Sequence, residues 1–149
     1  MAAPVYAKQF IRFAETFQVG PAVAVGQFRV VELAGAPGPN PPLLAVQSDG
    51  GSAVGVSQYQ VNALPTGFAT DEGQGRLLTV ATSGLLLVSS DPGANTPLVT
   101  DIGAALRVNG NGQAVTTGQG AAVTVNGTTP IIRDVINIGG EAYVLASFS

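Results

Sequence analysis

Short runs of hydrophobic and polar positions cover most of the chain. From Val19 onward, these runs are rich in valine, leucine and threonine, and glycine, proline, asparagine and aspartate separate them. Such texture is typical of an all-β protein. Alternation at 27–30 indicates a strand with one solvated face, whereas Leu85-Leu86-Leu87-Val88 predicts a strand buried on both faces. The pattern therefore predicts a compact β-barrel or sandwich-like domain.

The positions of the turn residues define the boundaries of the predicted strands. Strands are predicted near 22–25, 28–33, 43–47, 53–58, 76–82, 85–89, 105–109, 114–117, 122–125, 131–136 and 142–148. The sequence NGNG at 109–112 predicts a hairpin, because Asn-Gly supplies the positive φ of a type I′ turn. Residues 106–109 should then pair with residues 113–117.

The first eighteen residues follow a different pattern. Tyr6, Phe10, Phe13 and Phe17 are spaced by four, three and four positions, which is helical spacing. We therefore expect an N-terminal arm or short helix over residues 1–18, followed by a single β domain over residues 19–149.

This segment has two possible roles. It could be a short amphipathic helix that packs on its own domain. It could instead be an arm that docks on a neighbouring protein and becomes ordered on binding. In the second case the candidate contact residues are Phe10, Ile11, Arg12, Phe13 and Phe17.

A proline-rich stretch at 34–42 (AGAPGPNPP) predicts a surface loop, because proline lacks the donor that a central strand needs. Such loops are mostly connections, and this one is an alternative site of partner contact. Asn126-Gly127-Thr128 matches a glycosylation acceptor, but Asn-Gly between strands favours a hairpin turn.

Composition points to association with other proteins. Charged residues make up only 10% of the chain and hydrophobic residues 46%, against about 25% charged in an average domain. A weakly charged, apolar surface favours packing against partners. The net charge is −3 and the six cations are scattered, so nucleic acid is not an expected partner. The apolar run at 77–88 is broken by polar residues, so no membrane span is predicted.

The chain offers few groups for catalysis. It has no histidine and no cysteine, and Lys8 is the only lysine, so a serine or threonine nucleophile has no evident base. Asp49, Asp71 and Asp91 lie beside glycines or in predicted turns, where aspartate binds the backbone. No phosphate or calcium loop motif occurs. We expect a protein that is not an enzyme, with no cofactor, no metal and no small-molecule substrate.

The order of these features resembles a known family. The relevant segments are VGPAVAVGQFRVVEL, AVGVSQYQ at 53–60, GRLLTVATSGLLLVSSDPGA at 75–94, LRVNGNGQAVTT at 106–117 and EAYVLASF. Over about residues 19–149 the chain resembles the head decoration, or capsid cement, proteins of tailed bacteriophages.

The resemblance implies a β-barrel-like domain, often a homotrimer, on the exterior of an icosahedral capsid. There it would bridge subunits of the major capsid protein after assembly in the host cytoplasm. The alternative is a receptor- or carbohydrate-binding β module of a virion fibre or cell surface. That alternative requires exposed aromatic side chains, for which Tyr59, Phe68 and Tyr143 are the candidates.

Overall fold

The fold is built almost entirely from β-strands. The computed structural model describes residues 9–19, 24–33, 43–47, 51–61 and 77–149, and the predicted loop at 34–42 lies outside them. The described residues contain one 3₁₀ turn, Val99–Asp101, and no α-helix. The strands are β1 (Phe10–Val19), β2 (Val30–Leu33), β3 (Leu43–Gln47), β4 (Gly51–Ser52), β5 (Gly55–Ser57), β6 (Leu77–Ser89), β7 (Arg107–Val108), β8 (Ala114–Val115), β9 (Ala121–Thr124), β10 (Ile131–Ile138) and β11 (Glu141–Phe148). The predicted all-β class is confirmed.

Five strands close into a ring. Strand β1 pairs with β3, β3 with β2, β2 with β5 and β5 with β6, and β6 returns to pair with β1. Closure satisfies backbone donors and acceptors that an open edge would leave unpaired. Residues of this ring and of its neighbours form a small buried core. They are Phe17, Val19, Val25, Val31, Leu78 and Val80.

A sandwich-like second half shares strand β6 with the ring. The later residues of β6 pair with β11, and β11 pairs with β10. A separate four-stranded sheet has the order β4-β9-β7-β8. The larger buried cluster joins residues of both sheets, among them Leu86, Leu87, Val108, Val123 and Val144. Leu86, Leu87 and Val88 are fully buried, which confirms the prediction of a two-sided core strand.

Two predicted strands, at 76–82 and 85–89, form one thirteen-residue strand, β6. Gly84 lies between them with φ of +125°, a conformation that favours glycine. A Cβ at Gly84 would collide with the backbone of Phe10 and Arg12, so this glycine also permits close approach of β1. The glycine therefore changes the backbone of β6 without ending it.

The two Asn-Gly sequences form different turns. Strands β7 and β8 pair as predicted, with Arg107 opposite Val115. The predicted type I′ turn is wrong there, because in the loop at 109–113 only Gly112 has positive φ (67°). At Asn126-Gly127 both residues have positive φ, 51° and 76°, and Val125 and Thr128 exchange two backbone hydrogen bonds. The predicted hairpin at Asn126 is therefore confirmed, with type I′ geometry.

The helical interpretation of the N-terminal segment is wrong over the residues that the structure describes. Residues 10–19 are strand β1, which pairs antiparallel with β6 from Phe10 opposite Leu85 to Gln18 opposite Leu77. The proposed boundary between residues 18 and 19 falls inside this strand. Residues 1–8, including Tyr6, lie outside the described part of the chain.

Candidate docking surface on strand β1

Strand β1 separates the five predicted contact residues into two groups. Phe10 and Phe13 are 69% and 64% exposed, and Ile11 and Arg12 are also exposed. Phe17 is only 4% exposed and belongs to the core of the ring. It is therefore corrected from a candidate contact to a structural residue. We call Phe10, Ile11, Arg12 and Phe13 the β1 face.

Two irregularities interrupt the pairing of β1 with β6 beside these exposed side chains. Ile11 lies opposite Gly84 and Phe13 opposite Ser83, so Arg12 is an extra residue in β1. Such a bulge bends a strand and re-aims its side chains. Phe13 lies opposite Ser83 and Ala14 opposite Ala81, so Thr82 is an extra residue in β6. Beyond this second irregularity lies Phe17, which is buried. The bulge at Arg12 disturbs the alternation that would have identified a strand from the sequence.

A glutamine pair helps to hold the beginning of β1 in place. Gln9 Nε2 donates to Gln58 Oε1 at 3.0 Å, and Gln9 Oε1 accepts from the Leu87 backbone N–H at 3.0 Å. Backbone pairing with β6 continues from Phe10. The exposed aromatic side chains therefore lie on an ordered strand, which reduces the conformational entropy that is lost on binding.

Two clefts flank the β1 face. One, of about 610 Å³, is lined by Phe13, Glu15, Phe17 and Leu33 among others. The other, of about 550 Å³, includes Ile11 and Tyr59. Both clefts are lined by apolar and polar side chains, so the face could receive side chains of a protein partner.

The aromatic residues of the alternative function are separated in the structure. Tyr59 is exposed, and Tyr143 is buried, with its ring against Phe28 at 6.1 Å. Phe68 lies outside the described residues. Only Tyr59 of the three is thus shown as an exposed aromatic side chain. The carbohydrate-binding alternative stays a prediction.

Another exposed apolar group, which the sequence reasoning missed, surrounds the 3₁₀ turn. Leu98 and Val99 are 60% and 71% exposed, and Ile102 is also exposed. The sequence does contain a sign of this group, because three large apolar residues lie beside Asp101 in a short connection. This group provides a second apolar surface against which the β1 face can be compared experimentally.

Asp101 organises that turn from a buried position. Its carboxylate accepts from the Leu98 N–H at 2.7 Å and from the Thr116 and Thr117 hydroxyls at 2.8 and 2.7 Å. The Thr117 N–H also donates to it at 3.2 Å. Burial favours the neutral acid, but these hydrogen bonds favour the carboxylate more strongly and lower the pKa of Asp101 to about 2.

We expect this carboxylate to make the protein sensitive to acid. A folded-state pKa below the unfolded one gives stability that is present above about pH 4 and lost as the pH falls through about 2. The shift corresponds to about 2 kcal/mol of unfolding free energy. Urea denaturation between pH 7 and pH 2 should show this loss, and Asp101→Asn should remove it. Asp134→Asn, at an exposed carboxylate, should keep the wild-type profile, and equal profiles for all three proteins would contradict the assignment.

The described residues contain no group of three or more acidic side chains placed to hold a metal ion. They also contain no helix that is long and apolar enough to span a bilayer. The comparisons with known proteins add no family: no protein-family model matches the chain, and no curated protein matches it either.

Proposed function

We propose that the protein is a structural virion component that binds the exterior of a bacteriophage capsid and bridges neighbouring major capsid subunits. The β1 face carries the proposal. It presents two phenylalanines and an isoleucine to solvent on a strand that is paired with β6. Burial of one such side chain contributes about 1.5–3 kcal/mol on transfer grounds, so two or three can anchor a complex.

Low surface charge supports the same role. Only 10% of the residues are charged, so charge repulsion opposes association less than in an average domain. We propose in addition that the protein acts as a homotrimer, since a symmetric oligomer multiplies modest single contacts into strong attachment. A sedimentation measurement that gives a monomer at working concentration would remove this part of the proposal.

Point variants test the capsid contact better than truncation does. Deleting residues 1–18 would remove most of β1 together with the core residue Phe17, so loss of binding could reflect loss of folding. Phe10→Ser with Phe13→Ser leaves the core intact. Cosedimentation with shells of the major capsid protein from the same virus should show this double variant binding at least about a hundredfold more weakly.

The apolar group at the 3₁₀ turn provides a matched control. Leu98→Ser with Val99→Ser removes two apolar side chains of similar fractional exposure from another part of the protein. This control should bind the shells as the wild type does. No binding by the wild type would contradict the capsid proposal. Wild-type binding by the Phe10 and Phe13 variant would place the contact elsewhere, and the loop at 34–42 would be the next region to test.

A further inference from the structure

A polar groove lies beside the turn at 26–29 and the hairpin between β10 and β11. It has two adjoining lobes of about 360 and 270 Å³, which share Arg29, Ser89 and Glu141. Its lining contains no residue of the β1 face. A ligand in this groove would therefore be independent of the docking contact proposed above.

Two polar atoms at the groove are buried without a protein partner. Arg29 Nη1 donates to the Asn111 carbonyl at 3.1 Å, but Arg29 Nε is buried with no hydrogen-bond acceptor. Ser90 is 4% exposed, and its Oγ likewise has no partner. These are the only two such side-chain atoms among the described residues. Burying an unpaired donor is unfavourable, so two at one groove indicate a ligand that supplies acceptors.

A strained turn fixes the position of Arg29. Phe28 has φ of 57°, which is rare for a bulky residue. Its N–H donates to the Ser57 carbonyl and its own carbonyl accepts from Ser89, both at 2.8 Å. The Phe28 ring meets Tyr143 edge to face. Residues that their surroundings hold in such a rare conformation cluster at ligand sites. Here the strained backbone at Phe28 fixes the direction of the next side chain, Arg29.

The same groove contains an oriented acceptor. Tyr143 donates its hydroxyl hydrogen to Glu141 Oε2 at 2.7 Å. Burial, this hydrogen bond and the charge of Glu141 raise the pKa of Tyr143 to about 12, so the hydroxyl stays protonated at neutral pH. Glu141 Oε1 has no hydrogen bond to any described residue and can accept one from a ligand.

We propose that this groove binds a small carboxylate that also bears hydroxyl groups, the chemistry of a sugar acid. The groove would open slightly on binding, so that the ligand carboxylate accepts hydrogen bonds from the buried donors of Arg29 and Ser90. The planar guanidinium is well suited to a carboxylate. A ligand hydroxyl would donate to Glu141. A doubly charged phosphate fits less well, because Glu141 adds a negative charge to the same groove. The larger lobe lies at the lower end of the size range of small-molecule sites.

Three matched probes test this specificity. Glucuronate carries the carboxylate and hydroxyls, glucose lacks the anion and glucose 6-phosphate carries a larger negative charge. In an NMR titration of amide signals we expect saturable glucuronate binding with shifts at Ser90 and Glu141. The other two sugars should bind at least about tenfold more weakly. No saturable binding of glucuronate, or binding of an acidic peptide in its place, would overturn the proposal.

Variants separate a binding role from a structural one. Ser90→Ala removes a buried unpaired hydroxyl, so it should leave the melting temperature equal or higher yet weaken glucuronate binding about tenfold. Arg29→Gln should weaken it by at least as much. Arg133→Gln removes an exposed arginine outside the groove lining and should bind as the wild type does. Unchanged binding in the two groove variants would overturn the assignment.

Discussion

Replacing Phe17 with alanine will lower the unfolding free energy by about 3–5 kcal/mol, the usual cost of emptying a buried phenylalanine site. Phe17 is 4% exposed and packs with Val19, Leu78 and Val80 in the core of the ring. The same substitution at Phe13, which is 64% exposed, should cost less than about 1 kcal/mol. Equilibrium denaturation in urea measures both values.

This pair of variants tests the placement of the β1 side chains directly. Phe13 and Phe17 lie four residues apart, so they share one face on a helix and also on a regular strand. The variants therefore test the difference in burial between the two side chains. Equal losses of stability would contradict the exposed position of Phe13 and the buried position of Phe17.

Replacing Gly55 with alanine will destabilise the protein by about 3 kcal/mol or more, at the upper end of overpacking effects. A Cβ at this position would collide with the carbonyl oxygen of Ala81 and approach Val80 Cγ1 to 2.9 Å. Both residues belong to β6, which pairs with β5 through Val56 opposite Ala81. The obstacle is backbone of a central strand, so it cannot move without disturbing the ring.

Gly110 is the matched control, because a Cβ there meets nothing within 4 Å. Neither Gly55 nor Gly110 has a φ in the left-handed region, so an alanine at either position brings no backbone strain from a positive φ. Gly110→Ala should change the melting temperature by only a few degrees at most. A similar loss of stability in the two variants would show that the close approach of β5 to β6 is not what requires glycine.

Local sequence signals predict most of the strands but not how they are connected. Alternation and turn residues correctly located the described strands from Val30 to Phe148 with the exception of β4, Gly51–Ser52, which lies outside every predicted strand. Strand β1 was missed because the bulge at Arg12 breaks the alternation, and because the spacing of Phe10, Phe13 and Phe17 also fits a helix. The prediction places residues 83–84 between two strands, whereas both lie within β6.

The candidate sites were only partly accessible to sequence reasoning. The aromatic character of residues 10–17 is visible in the sequence, so the exposed Phe10 and Phe13 could be proposed, but burial of Phe17 depends on pairing with a distant strand. The groove around Arg29 combines side chains from positions 29, 90 and 141. No local motif connects such positions, because their contact depends on tertiary structure.

The pairing of β1 with β6 also determines when the ring can form during synthesis. Strand β1 leaves the ribosome long before Leu77–Ser89 does, and translation adds only roughly 5–20 residues per second. For some seconds the aromatic strand has no antiparallel partner. A nascent chain stalled before β6 should therefore expose Phe17 to chaperones and proteases, and release past Ser89 should protect it.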